Sequence, residues 1–228
     1  MNLGDLRTAV AAATGLDTSD ASELALLDRW INEGVVDVLR RTRCYQEMAT
    51  MALTAGLDGD YTLDSDVLQI LDIWIDSDEG PLTRVTPEEM LHLRRAASND
   101  GVSRYALAGS NLFMVYPEPS ADVTAHLLVV PRPTKLSQPA HDPSTVTYGG
   151  IPEELHPLVE MYATFRAGLF RRDASISASG LYQIYEAEAL RAARDTSAKG
   201  GRKLAPVKPG HRGGHGRSRT SSNGRYPA

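Results

Sequence analysis

With 228 residues, 42% of them hydrophobic and 23% charged, the chain has enough apolar mass for one sizeable core, or for a core with an appendage, and falls in the soluble class. No run of about eighteen apolar residues occurs, Met1-Asn2-Leu3-Gly4-Asp5 lacks the basic-then-apolar layout of a signal peptide, and the single Cys44 excludes an internal disulfide, so no membrane contact is expected. The net charge of −5 hides an asymmetry: eight of the 24 Lys and Arg lie between Lys199 and Ala228, where none of the 29 Asp and Glu are found, so an acidic body carries a basic tail.

Taken in order, Leu3, Leu6, Val10 and Ala13 recur at helical spacing and end at Gly15, placed for a left-handed cap. Leu24, Leu27, Ile31, Val35 and Val38 then step by three and four residues, which predicts a second, amphipathic helix running to about Cys44 with Ser22 as its N-cap. Arg40, Arg41 and Arg43 fall where cations favour a helix C-terminus.

Ala49, Met51 and Leu53 alternate with their neighbours, Tyr61-Thr62-Leu63 follows an Asp-Gly-Asp break, and Val67 to Ile75 is β-branched and aromatic, with Leu71, Ile73 and Ile75 on one parity. Three strands are expected here, closed by a turn over Asp76 to Gly80. Thr86-Pro87-Glu88-Glu89 is a helix start with Thr as N-cap and Pro at the first helical position, and the short helix ends near Ser98-Asn99-Asp100-Gly101.

Tyr105 to Gly109, a Gly109-Ser110-Asn111 turn and Leu112 to Tyr116 form a hairpin signature. With Val123 to Val130 they predict a three-strand antiparallel meander bracketed by prolines. After an aperiodic Pro- and Ser-rich connection, Pro152-Glu153-Glu154 opens what should be the longest helix, with Leu155, Leu158, Tyr162, Phe165 and Leu169 buried to about Arg172. A last helix spans Ser179 to Asp195, with Leu181, Ile184, Tyr185 and Ala189 on one face. Beyond it, Gly, Ser, Lys, Arg and Pro dominate, and such a segment cannot bury enough apolar area to offset its conformational entropy.

Helices at both ends and strands between them define an α+β class: a helical bundle from N- and C-terminal helices with an inserted antiparallel β block and a basic extended C-terminal tail. The expected divisions are N-terminal helices at 1–46, the β block with one short helix at 47–134, a connection at 135–150, C-terminal helices packing on the N-terminal ones at 151–196, and the Gly-rich tail at 197–228.

No catalytic constellation emerges. The chain has no phosphate loop, no nucleophile elbow, no His-Glu-x-x-His and no second cysteine for a thiolate site. Cys44 reads as a structural thiol; Asp76-Ser77-Asp78-Glu79-Gly80 lacks the ligands that would complete a calcium loop; His211 and His215 have a chelating spacing but no helix to hold it. His92, His126, His141 and His156 are scattered. Neither enzyme activity, cofactor nor metal is expected. The tail, through Lys199, Arg202, Lys203, Lys208, Arg212, Arg217, Arg219, Arg225 and Tyr226, is the candidate contact surface, as a solvated end, as a salt-dependent contact to nucleic acid, or as an arm that orders on a protein.

The order of motifs resembles the head-to-tail adaptor (connector, or head completion) proteins of long-tailed bacteriophages. The residues that carry this are Leu27-Asp28-Arg29-Trp30-Ile31-Asn32-Glu33 through Val38-Leu39-Arg40-Arg41, Leu82-Thr83-Arg84-Val85-Thr86-Pro87-Glu88-Glu89, Asn111-Leu112-Phe113 with Tyr116-Pro117-Glu118-Pro119, Val130-Pro131-Arg132-Pro133-Thr134, and the helix from Pro152 to Arg172. The resemblance covers roughly residues 3–195 and leaves the tail outside it. It implies a non-enzymatic virion part at the capsid-tail neck, assembled in the host cytoplasm. It also implies a ring of about twelve copies, a portal partner, a next neck or tail protein, and genomic DNA passing through the channel. A nucleic-acid-binding protein that uses the basic tail is the alternative.

Overall fold

A computed structural model of the chain describes residues 1–75, 80–95, 102–109, 111–172 and 180–200, with side chains through residue 197. The expected turn over Asp76 to Glu79, the end of the short helix at Ser98 to Gly101, Ser110, and the tail beyond Gly200 with His211 and His215 lie outside the described residues.

The fold is mixed α+β, with helices at both ends of the described chain and the strands between them. Helix α1 (Leu3–Thr14) is fixed at its start by a reciprocal capping box between Asn2 and Asp5, and at its end by Gly15 in the left-handed conformation. Helix α2 (Ala21–Thr42) starts two residues earlier than expected. Asp20, not Ser22, is the N-cap, because its carboxylate accepts from the backbone N–H groups of both Ser22 and Glu23. At 22 residues α2 is the longest helix among the described residues, a place expected for the helix after Pro152. That later segment divides into a 3-10 turn (Glu153–Leu155) and α4 (His156–Arg171), and α5 (Leu181–Gly200) runs past the expected Asp195.

Leu3, Leu6, Val10, Leu27, Ile31, Val35, Val38, Leu158, Val159, Ala163, Tyr185 and Ala189 fill the core of this four-helix bundle. Gly34 marks the closest approach of α2 to α4: a Cβ there would lie 3.1 Å from the Val159 carbonyl oxygen and 3.2 Å from the Tyr162 ring.

Among the described residues the strands are β1 (Glu47–Leu53), β2 (Asp60–Thr62), β3 (Val67–Ile75), β4 (Thr83–Arg84), β5 (Arg104–Ala108), β6 (Leu112–Tyr116) and β7 (Val123–Pro131), with helix α3 (Pro87–Arg95) between β4 and β5. Thr86 Oγ1 caps α3 by accepting the Glu89 N–H. The expected β5–β6 hairpin forms in antiparallel register from Arg104↔Tyr116 to Ala108↔Leu112.

The three-strand meander does not form. β7 leaves the hairpin and becomes the centre of a separate sheet ordered β1-β7-β3, while the hairpin belongs to a four-stranded sheet ordered β2-β6-β5-β4. All pairs are antiparallel except the two-residue pair of β4 with β5.

Burial explains the exchange. Ala125, Leu127 and Val129 project from β7 onto Tyr61, Tyr105, Phe113 and Val115 of the other sheet, so the sheets close face to face as a sandwich, whereas a flat meander would leave one apolar face open. On the outer face of the four-stranded sheet, Ala106, Met114 and Tyr116 receive Met90 of α3.

β3 carries register shifts between Val67 and Gln69 and between Ile70 and Asp72. Ile70 therefore joins Ile73 and Ile75 in the sandwich, and Leu71 turns with Leu68 toward the bundle, which corrects the single parity read for Leu71, Ile73 and Ile75. Val130, Leu136 and Ile151 complete this junction, so the bundle and the sandwich are stitched through the ends of β3 and β7.

Candidate interaction surfaces

The structure gathers its most elaborate polar chemistry along α2. Ala25, Asp28, Asn32, Val36 and Arg40 follow one another at helical spacing along one side of a groove of about 770 Å³, whose other wall is the strap leaving β7, Arg132 to Ser137, and which Tyr162 of α4 also lines.

Asn32 holds the strap in place. Its side-chain amide donates to the Leu136 carbonyl at 3.0 Å and accepts the Leu136 N–H at 2.7 Å, as a neighbouring strand would, and it also donates to the Asp28 carbonyl at 2.7 Å.

Each carboxylate of the groove is already committed to a cation. Arg7 of α1 forms a bidentate pair with Asp28 at 2.6 Å for both bonds; Arg29 lies 2.8 Å and Arg166 3.2 Å from Glu33; Arg41 lies 2.7 Å from Asp37. The Arg166 contact is an ion pair whose alignment falls short of a hydrogen bond, so Glu33 Oε2 is buried with no hydrogen-bond donor. Asp37 also accepts from the hydroxyl of the fully buried Tyr185, over whose ring the Arg41 guanidinium sits at 5.5 Å.

Burial, the bond to Asp37 and the Asp37 charge all push the Tyr185 phenol up. Burial opposes the Arg41 charge, but Asp37 more than offsets it, so Arg41 stays firmly protonated.

What remains uncompensated in the groove is positive. Arg40 and Lys135 have no ion-pair partner among the described residues, and Arg132 donates its Nε to the Ser65 carbonyl at 2.9 Å, leaving its terminal nitrogens outward. On an acidic body, such a surface is complementary to an acidic partner face.

A second kind of surface is apolar. Leu169 and Phe170 at the end of α4, and Ile184 and Leu190 on the outside of α5, are each at least half exposed. This corrects the stripes read for both helices. Leu169 and Ile184 face outward, and Val159, Ala163 and Ala167 of α4 take the buried places, because α4 is covered by α1, α2 and α5 along a face rotated toward its small residues.

Of the residues singled out in the sequence, Lys199 lies in the last turn of α5, and Arg202, Lys203, Lys208, Arg212, Arg217, Arg219, Arg225 and Tyr226 lie outside the described residues. Cys44 is half-buried against the bundle core, and burial pushes its thiol up, away from the reactive thiolate. His141 stacks on Tyr148 at 4.3 Å and His126 on Trp74 at 6.2 Å.

His156 is fully buried. Its Nδ1 lies 3.0 Å from the Met1 ammonium and its Nε2 3.1 Å from the Ile151 carbonyl, which fits a neutral ring protonated on Nε2. Burial, and next the Met1 ammonium, hold its pKa below the ordinary imidazole value. Among the described residues no group of His, Cys, Asp and Glu is placed to hold a metal ion, and no helix is long and apolar enough to cross a membrane.

The fold is thus a four-helix bundle stitched to a β-sandwich, with a cationic groove and four exposed apolar side chains on α4 and α5, and the described residues hold no metal cluster. The family model for the SU10 adaptor protein matches residues 1–209, and the chain belongs to that family. It is thus a structural adaptor of a bacteriophage particle that associates with other head or tail proteins. The match runs past the expected limit near residue 195 and takes in Lys199, Arg202, Lys203 and Lys208 of the tail. Among curated proteins no match is found.

Proposed function

We propose that the chain is a head-to-tail adaptor that assembles as a ring of about twelve copies below the portal, extends the DNA channel and joins the capsid to the neck and tail. The observation that carries this reading is the family match over residues 1–209, which spans the bundle, the sandwich and the start of the tail. The two surfaces described above support it. A ring needs complementary patches that meet between neighbours; the cationic groove suits an acidic face and the exposed apolar positions of α4 and α5 suit an apolar one, so each offers one half of such a contact.

The tail is the docking arm in this reading. Lys199, Arg202, Lys203, Lys208, Arg212, Arg217, Arg219 and Arg225 supply charge without a fixed fold, and Tyr226 an apolar anchor. Many weak arms on one ring bind strongly, because each engaged arm raises the effective concentration of the next.

Truncation after Gly200 keeps α5 as described and removes every basic residue of the arm except Lys199. The shortened chain is expected to lose binding to portal-bearing, DNA-filled heads, and undiminished binding refutes the docking role. The basic excess of the tail also favours direct contact with DNA. A salt-dependent shift of a DNA probe by the full chain, abolished by the same truncation, replaces the docking role with that one. Mass measurement of the assembled particle gives the copy number.

A further inference from the structure

The sandwich exposes four strand edges, and three of them are blunted. β2 spans three residues and β4 two. β3 breaks register twice, and its far end is closed by the bridge of Trp74 to Pro81 and by the Leu82 N–H donating to the Ile73 carbonyl. Short length, bulges, proline and a covering segment are the usual defences of an exposed edge.

β1 has none of them. Its seven residues pair with β7 in unbroken register from Glu47↔Val129 to Leu53↔Val123, and Glu47-Met-Ala-Thr-Met-Ala-Leu53 contains no Pro, Gly, Lys or Arg. Apart from the ladder to β7, its backbone groups have no hydrogen-bond partner among the described residues.

The side chains carry the same mark. Leu53 is fully buried, yet Ala49 and Met51, on the same inward parity and packed against the sandwich core, are only half-buried. Among the described residues no strand pairs with β1 on the side away from β7.

We propose that the free edge of β1 accepts an extended strand from a different protein of the particle, with apolar residues at the alternate positions that fall beside Ala49, Met51 and Leu53. The backbone ladder supplies affinity and the sandwich face supplies selectivity. Taking the partner from the particle rests on the adaptor reading; the vacant edge does not. Among the described residues a second copy offers no edge that fits the place within a ring. Two β1 edges pair about a two-fold axis, which turns neighbours head to foot, and the other described edges are too short or too bulged to match seven residues.

Two measurements test this. Hydrogen exchange of the full wild-type chain is compared free in solution and in purified particles; the outward N–H groups of residues 47–53 are expected to slow by about tenfold or more in particles. In parallel, phage carrying Met51→Lys is compared with phage carrying Met48→Lys. The lysine at 51 reaches water past the open edge of the free chain but is trapped under an added strand, while the one at 48, on the opposite face, stays solvated. Particles with Met51→Lys are expected to hold the adaptor and lack the component that follows it; those with Met48→Lys are expected to be complete.

Equal exchange of β1 in both states, or complete infectious particles with Met51→Lys, overturns the proposal. A wild-type dimer in solution that Met51→Lys converts to monomer assigns the edge to a second copy and overturns it equally. Absence of the wild-type chain from particles refutes the adaptor reading and the partner with it, whereas its presence with unprotected β1 refutes the edge alone. The exchange comparison needs no variant, so it decides the matter even where Met51→Lys does not fold.

Discussion

Replacing Asn32 by Ala removes the bracket between the bundle and the strap that descends from the sandwich. Two hydrogen bonds to the backbone of Leu136 disappear, one through its carbonyl and one through its N–H, and Leu136 is only 2% exposed. At about 0.5–1.5 kcal/mol for each net hydrogen bond, the loss is roughly 1–3 kcal/mol, with the upper half expected because water reaches that backbone poorly. The third bond, to the Asp28 carbonyl, adds little, since the helix itself already uses that acceptor. Urea unfolding followed by circular dichroism should show a lower midpoint with an unchanged slope.

Asn32→Asp sharpens the test. It keeps the acceptor for the Leu136 N–H but aims a carboxylate at two carbonyl oxygens, so it should be destabilised at neutral pH and partly recover as the pH falls through the carboxylate range. A loss below about 0.5 kcal/mol for Asn32→Ala, or an Asn32→Asp chain as stable as wild type at neutral pH, refutes the bracket.

Three further outcomes follow from the geometry. Gly34→Val should destabilise the bundle by about 1–3 kcal/mol in the same urea assay, because the added methyls meet the α4 backbone at the Val159 carbonyl, which cannot rotate aside. Arg171→Ala should cost about 1 kcal/mol and raise amide exchange in the last turn of α1, whose Thr14 and Gly15 carbonyls accept from Arg171 at 2.9 and 2.8 Å. His156, faced by the Met1 ammonium, Asp142 and Glu153, has a folded pKa below the 6.5 of the free side chain; the unfolded chain therefore takes up the proton first. Its contribution to stability is complete above pH 6.5 and declines as the pH falls below that value, and His156→Gln should flatten the pH dependence measured from about 7 down to about 5.

Much of the local structure was legible because its causes are local. The capping bonds at Thr86 and the left-handed Gly15 act within one turn of helix, and the alternation along β1, β5 and β7 reflects the two faces of each strand. The resemblance rested on motif order for the same reason: each motif is an element boundary or a helix stripe that survives in the chain itself.

What the chain order could not convey was partnership at long range. Asn32 meets Leu136 across 104 residues, and Asp37 meets Tyr185 across 148. In sequence these are merely polar or aromatic residues on helices. In the fold Arg7, Arg166 and Arg41 neutralise the acidic residues of α2 and leave Arg40 and Lys135 to set the sign of the groove.

By itself, then, the sequence determined which stretches are helical and which longer runs are strands, the acidic body with its basic tail, and the family to which those signals belong, while the start of α2, the end of α5 and the two-residue β4 escaped it, because only the former depend on residues within a few positions of one another or on composition. Only the tertiary structure decided that β7 abandons its hairpin neighbours to pair with β1 and β3, that Leu169 and Ile184 face outward, and that β1 ends as an edge strand of its sheet. Strand partnership is settled by which two apolar faces close over one another. That closure joins residues far apart in the chain, and no local pattern encodes it.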